Sequence, residues 1–105
     1  MNTYIMLMKW TEQGSADIAE AKRGREAGKK AAAAVGIKWK QSYLVMGHDF
    51  DVIVVVEAPD EETMARYTLL GQMSGAVETK TIRAFTESEA DRLVGSLAEF
   101  SELVA

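Results

Sequence analysis

Apolar and polar positions first organise themselves over residues 3–10, Thr-Tyr-Ile-Met-Leu-Met-Lys-Trp. On a strand, Tyr4, Met6, Met8 and Trp10 point one way and Ile5 and Leu7 the other. Both sides are apolar, so this strand is expected to be covered on both faces. Residues 11–15 read as a loop. From 16 to 35 the chain is rich in Ala, Lys, Arg and Glu, a helical composition stopped by Gly36. Internal Gly24 and Gly28 each cost about 0.5–1 kcal/mol relative to Ala, so a break or late start is expected near 22–25. The small residues Ala27, Ala31 and Ala34, with Val35, form the expected buried face. Residues 37–46 read as a second strand. Trp39, Gln41, Tyr43 and Val45 share one of its faces, opposite Lys38, Lys40, Ser42 and Leu44. Lysines along a strand suit a sheet edge.

A turn over 47–50 leads to a third strand, 51–58, whose Val52, Val54 and Val56 oppose Ile53 and Val55 and leave neither face for water. Pro59 ends it. Asp60 then caps a helix over 61 to about 70, with Glu61 and Glu62 at the positive end of its dipole. Residues 71–75 read as a loop and 78–85 as a polar fourth strand. Thr86-Glu87-Ser88-Glu89 has the spacing of a capping box. It opens a last helix over about 87–104, with an apolar stripe of Ala90, Leu93, Val94, Leu97 and Val104. The order β-α-β-β-α-β plus a terminal helix predicts an α+β, ferredoxin-like fold with a four-stranded antiparallel sheet. Strands one and three belong at its centre and two and four at its edges. Two helices cover one face of such a sheet; the other, carrying Tyr4, Met6 and Met8 or their alternates, would lie bare in a monomer. A bare apolar face of that size marks an interface. The expected partner is therefore a second copy, in a homodimer or higher assembly clasped by the terminal helix.

Composition narrows the functional classes. A chain of 105 residues makes one domain, 1–105, and 48% hydrophobic with 27% charged residues is ordinary for a globular protein. There is no cysteine, so disulfides, thiolate nucleophiles and cysteine-ligated metals are excluded. No signal-like start or membrane-length apolar run is present, from which a cytoplasmic protein without membrane contact is expected. With a net charge of −4, the basic stretch 22–30 reads as a solvated helix face, and no nucleic-acid partner is expected.

The chain also resembles the GYD-domain family, small bacterial proteins grouped with the dimeric α+β barrels. The resemblance runs through Thr3-Tyr4-Ile5 to Trp10-Thr11, Tyr43-Leu44-Val45-Met46-Gly47, Asp51 to Asp60 ending Val-Glu-Ala-Pro-Asp, and Thr81-Ile82-Arg83-Ala84-Phe85-Thr86. It implies the ferredoxin-like fold and a dimeric barrel. One departure stands in the name-giving turn, where the family shows Gly, one residue, Tyr and Asp. Here Gly47-His48-Asp49-Phe50-Asp51 has Phe50 at the tyrosine position and one extra residue.

That turn holds the one histidine, and it is where candidate chemistry concentrates. His48, Asp49 and Asp51 are titratable groups within four residues. Alternation sends such neighbours apart, so no metal site is expected there, and no cofactor is called for. Trp10, Trp39, Tyr4 and Tyr43 are the aromatic groups that could line a pocket, or simply pack on the sheet. Arg83 is an anion clamp or, at the interface, the ion-pair partner of Asp51 or Glu57. Neither a phosphate loop nor a Gly-x-Ser-x-Gly element is present. The leading expectation is a small homodimeric protein binding an organic ligand beside the sheet, with His48, Asp49, Asp51, Tyr43, Trp10 and Arg83 as ligand-binding candidates. By analogy with dimeric α+β barrels, the first alternative is a cofactor-free or haem-dependent enzyme of monooxygenase or isomerase type. His48 would then be its base or haem ligand, oriented by Asp49 or Asp51. The second alternative is an assembly module whose interface is its function.

Overall fold

The computed structural model describes residues 1–47 and 49–104. Among these, strands β1 (Asn2–Trp10), β2 (Lys38–Leu44), β3 (Val52–Ala58) and β4 (Val77–Ala84) form one antiparallel sheet in the order β2-β3-β1-β4. The doubly apolar strands β1 and β3 are central and the lysine- and threonine-bearing β2 and β4 are edges, as the ferredoxin-like pattern requires. Helices α2 (Ala21–Ala34) and α3 (Glu61–Met73) pack on the same side of the sheet, α2 against β2 and α3 against β3 and β4. No helix among the described residues is long and apolar enough to cross a membrane.

Register decides which side chains are covered. Across the sheet, Trp39, Val56, Tyr4 and Arg83 form one row; Ser42, Val54, Met6 and Thr81 the next; Leu44, Val52, Met8 and Thr79 the third. These rows face the helices. Their central members join Ala32, Ile37, Ala58, Met64 and Tyr67 in the core, where Met6, Val54, Val56 and Met64 are at most 1% exposed. The opposite face carries the alternates. Gln41, Val55, Ile5 and Ile82 form one row, and Tyr43, Ile53, Leu7 and Lys80 another. Among the described residues, no element covers these rows as α2 and α3 cover the first set.

Several expectations need correction. Residues 11–15 are not all loop: Glu12–Ala16 form a short helix α1, capped by the Thr11 hydroxyl, which accepts from the Gly14 N–H at 3.2 Å. A clamp on the β4 approach holds it: Thr11 N–H donates to the Ala76 carbonyl at 3.0 Å and the Thr11 hydroxyl to the Gly75 carbonyl at 2.5 Å. A 3-10 turn, Ile18–Glu20, then precedes α2. The buried face of α2 runs through Gly28 and Ala32; Ala27, Ala31, Ala34 and Val35 are exposed. In β2 the register shifts between Trp39 and Gln41. This bulge puts Trp39 with Ser42 and Leu44 on the helix side and leaves Gln41 and Tyr43 on the open face, because one extra residue inverts the alternation. Finally, α3 runs on to Met73, through part of the expected loop.

The capping box at Thr86 forms as its spacing requires. Thr86 Oγ1 accepts from Glu89 N–H at 3.2 Å and Glu89 Oε1 from Thr86 N–H at 2.9 Å. The helix it opens, α4 (Glu87–Ser96), gives way to 3-10 turns at Leu97–Glu99 and Ser101–Leu103 rather than continuing to 104. This terminal unit projects from the body. The chain measures 56 × 32 × 20 Å with a radius of gyration of 16.6 Å, where a compact domain of this length would have about 13 Å. The expected apolar stripe is consequently exposed, with Val94 at 66%, Leu97 at 61% and Val104 at 88%.

Candidate functional site

The candidate residues separate into two ends of the sheet. Trp10 and Asp51 meet at one end. The Asp51 carboxylate accepts from the Trp10 backbone N–H at 2.9 Å, the Asp51 N–H donates to the Met8 carbonyl at 2.8 Å, and the Val45 N–H donates to the Asp51 carbonyl at 2.8 Å. Asp51 therefore ties the end of β1 to the start of β3 and to the loop after β2. Tyr43 lies near it on the open face, paired with Ile53 and 51% exposed. Asp49 is exposed and Phe50 half-buried, with the Lys80 ammonium 5.7 Å from the Phe50 ring centre. His48 lies outside the described residues. Among those described, no three His, Cys, Asp or Glu side chains gather closely enough to hold a metal ion.

Arg83 stands at the other end. It pairs in register with Tyr4, six residues from Trp10 along β1, about 20 Å at strand rise. Its guanidinium lies 4.3 Å from the Phe85 ring centre and 5.7 Å from that of Tyr4. It donates to the Thr3 carbonyl at 3.2 Å, to the Ala84 carbonyl and to Asn2 Oδ1 at 3.3 Å, and sits 4.0 Å from Glu89 Oε2. Within the chain its ion-pair partner is Glu89. Arg83 anchors the root of α4. The Glu89 carboxyl is held below its ordinary range, chiefly by the hydrogen bond from the Thr86 backbone and further by the charges of Arg83 and Arg92.

The four aromatic candidates do not line one pocket. Tyr4 is buried under the helices, Trp39 is half-buried in the same row, Trp10 is at the far end and Tyr43 is on the opposite face. What does form is an open groove of about 720 Å³ between α2 and β2, lined by Arg25, Lys29, Lys38, Trp39, Lys40 and neighbouring residues. Trp39 packs closely on Gly28 of α2. A Cβ there would stand 3.3 Å from the Trp39 ring, and the Tyr67 hydroxyl donates to the Gly28 carbonyl at 2.8 Å. Burial raises the Tyr67 pKa, so the hydroxyl stays protonated as a donor. Residues 22–27, 29 and 30 are exposed, in keeping with a solvated face, and the groove lies beside Arg25 and Lys29. The signals for it were the four-residue spacing of Arg25 and Lys29 on a helix and the two-residue spacing of Lys38 and Lys40 on a strand.

Two comparisons locate the chain among known proteins. It is 32% identical over 85 residues to a Thermus thermophilus protein named glutamine synthetase and cystathionine beta-lyase binding protein, covering 80% of this chain and 88% of that one. The GYD-domain family model matches residues 4–94, nearly the whole sheet with its helices and most of α4. The chain belongs to the GYD-domain family.

Proposed function

We propose that this chain is a self-associating binding module that docks onto protein partners. The observation that carries this is the pairing of two incompletely covered apolar surfaces: the half-buried open sheet face and the exposed stripe on the projecting α4 unit. The face presents Ile5, Leu7, Ile53, Val55 and Ile82, and Ile82 is 47% exposed. The stripe adds Leu93, Val94, Leu97, Phe100 and Leu103, each 46% exposed or more. Surfaces of that extent are covered when a protein functions. Two sheets closing face to face, each clasped by the other's terminal helix, would cover both in a dimeric α+β barrel. The name of the Thermus relative gives two enzymes as its binding partners, which supports docking onto proteins as the use of such an assembly. Sedimentation at micromolar concentration should give twice the mass of one chain. A single-chain mass across that range contradicts the reading.

A second reading, an organic ligand held beside the sheet, is favoured by Tyr43 lying exposed on the open face at the end where Asp51 is held by the Trp10 backbone N–H. Aromatic acids or quinones should then raise the melting temperature, and replacing Tyr43 with Ala should remove that rise. No rise with any of them counts against it.

A further inference from the structure

Charge is unevenly divided between the body of this chain and its terminal unit. Residues 86–105 hold five acids, Glu87, Glu89, Asp91, Glu99 and Glu102, against the single base Arg92. Residues 1–85 hold as many bases as acids, so the whole net charge of −4 is carried by the α4 unit. The open sheet face has the opposite sign. Register places Lys38 beside Glu57, Lys9 beside Glu78 and Lys80 beside Leu7 on that face. Lys40, bulged out of the ladder, reaches Glu57 there at 3.3 Å. Among the strand residues of this face, four lysines thus stand against two glutamates, and all four lysines are exposed.

The lysines lie at the rim. Lys38 and Lys40 belong to the edge strand β2 and Lys80 to the edge strand β4, while Lys9 is next to the end of β1. Ile5, Leu7, Ile53 and Val55 occupy the two central strands. A second sheet closing over that apolar centre leaves the lysine rim to whatever flanks it. The α4 unit has the surface for that place. Leu93, Val94 and Leu97 form its stripe, and Glu87 and Asp91, one turn apart, border it. Only Phe85 and Thr86 join β4 to α4. Arg83, 4.0 Å from Glu89 Oε2 and 4.3 Å from the Phe85 ring centre, braces that joint together with the capping box. A joint so short and so held keeps the stripe off its own sheet, so the face it meets is that of another copy. The other basic surface, the exposed side of α2, has only alanines to offer such a stripe.

We infer that the acidic arm of each copy closes on the lysine rim of a second copy's open face, so that the clasp of the dimer is ionic. The inference rests on the self-association reading and names the contacts that decide which surfaces meet. Rim charges set partner choice more than raw affinity, and salt screens them. Association of the unaltered chain therefore weakens as salt rises, which burial of the apolar centre alone would not produce.

The test is complementation between two charge-reversed full chains, read by sedimentation at low salt. D91K/E99K reverses the arm and K38E/K80E reverses the rim, and all four positions are exposed. Each variant alone sets like charges against each other and should associate about tenfold more weakly or worse than the unaltered chain. Mixed in equal amounts, the two should form a heterodimer, because each arm then meets a rim of opposite sign. That recovery also shows that both variants are folded. R23E/K30E, on the exposed side of α2, should dimerise like the unaltered chain. A single-chain mass for the unaltered protein defeats the self-association reading and this inference with it. An unaltered dimer defeats the ionic clasp alone in any of three cases: both variants associate undiminished, their mixture stays monomeric, or R23E/K30E is the variant that loses the dimer.

Discussion

The two faces of this sheet are built from the same strands and nearly the same residue types, yet they have opposite fates. Toward the helices, Met6, Val54 and Val56 are closed over by Met64, Tyr67, Ala32 and Ile37. One pleat away, Ile5, Leu7, Ile53 and Val55 stay half-buried, with no helix above them among the described residues. Strand propensity cannot produce this difference, because Val and Ile serve both faces. It arises from connectivity: both crossover helices pack on one side, and α4, whose stripe could cover the other, projects away from the body. The helix-covered face sets the stability of the chain, and the open face is the one through which we propose that it associates.

That contrast can be broken from either side. On the covered face, M6A removes a side chain 1% exposed at the centre of the core. It should cost about 2–5 kcal/mol, measured by urea unfolding. A comparable loss from an alanine at Ile82 would erase the distinction between the faces. Next in size is G14A. A Cβ at that position would lie 2.1 Å from the Ala76 carbonyl oxygen, so α1 must leave its clamp on the β4 approach. We expect about 1–3 kcal/mol of destabilisation, and an unchanged melting temperature would contradict the close approach. Smaller still is Y67F, which strips the Gly28 carbonyl of its donor for about 1 kcal/mol.

Tyr67 also has a pH signature. Burial raises its folded pKa, so its contribution is intact below about pH 10, the ordinary tyrosine value, and declines as the unfolded chain ionises above it. Y67F should flatten that alkaline loss. The smallest effect is acidic. Asp60 and Glu89 have lowered pKa values, each first through a backbone hydrogen bond, with Thr63 for Asp60 and Thr86 for Glu89. Their capping contributions are therefore present above about pH 4 and are lost as the pH falls through the lowered values. Far-UV circular dichroism should show α3 and α4 fraying there, and D60N should remove the α3 part of that change.

How much of this was legible in the sequence depended on whether a local pattern or a tertiary contact held the information. Strands β1 and β3 announced their central places through apolar residues on both faces. Asp60 and the Thr86–Glu89 box marked their helix starts, because a cap is a local hydrogen bond. The face of α2 could not be read. Four alanines at 31–34 look the same from every side, and the choice was made at a distance, by Gly28 admitting Trp39 and Tyr67. The β2 bulge was invisible for a similar reason. Alternation assigned Trp39 and Tyr43 to one face, and only the pairing with β3 reveals the shift between Trp39 and Gln41. Helix α1 was hidden because Gly14, a poor helix former, is there for its close approach to Ala76. The candidate site suffered from proximity in sequence. The turn at 47–51 drew attention by its titratable groups, whereas the lysines of the open face come from three strands that only the sheet order brings together.

The most direct test of the two-faced account is the mass in solution of the unaltered chain beside that of I82E. Ile82 is 47% exposed on the open face of an edge strand, so a carboxylate there leaves the helix-covered core alone and meets only what covers the face. The account predicts a dimer for the unaltered chain and a folded monomer for I82E, with the same urea midpoint once association is allowed for. Two monomers, or two dimers of equal affinity, would contradict it.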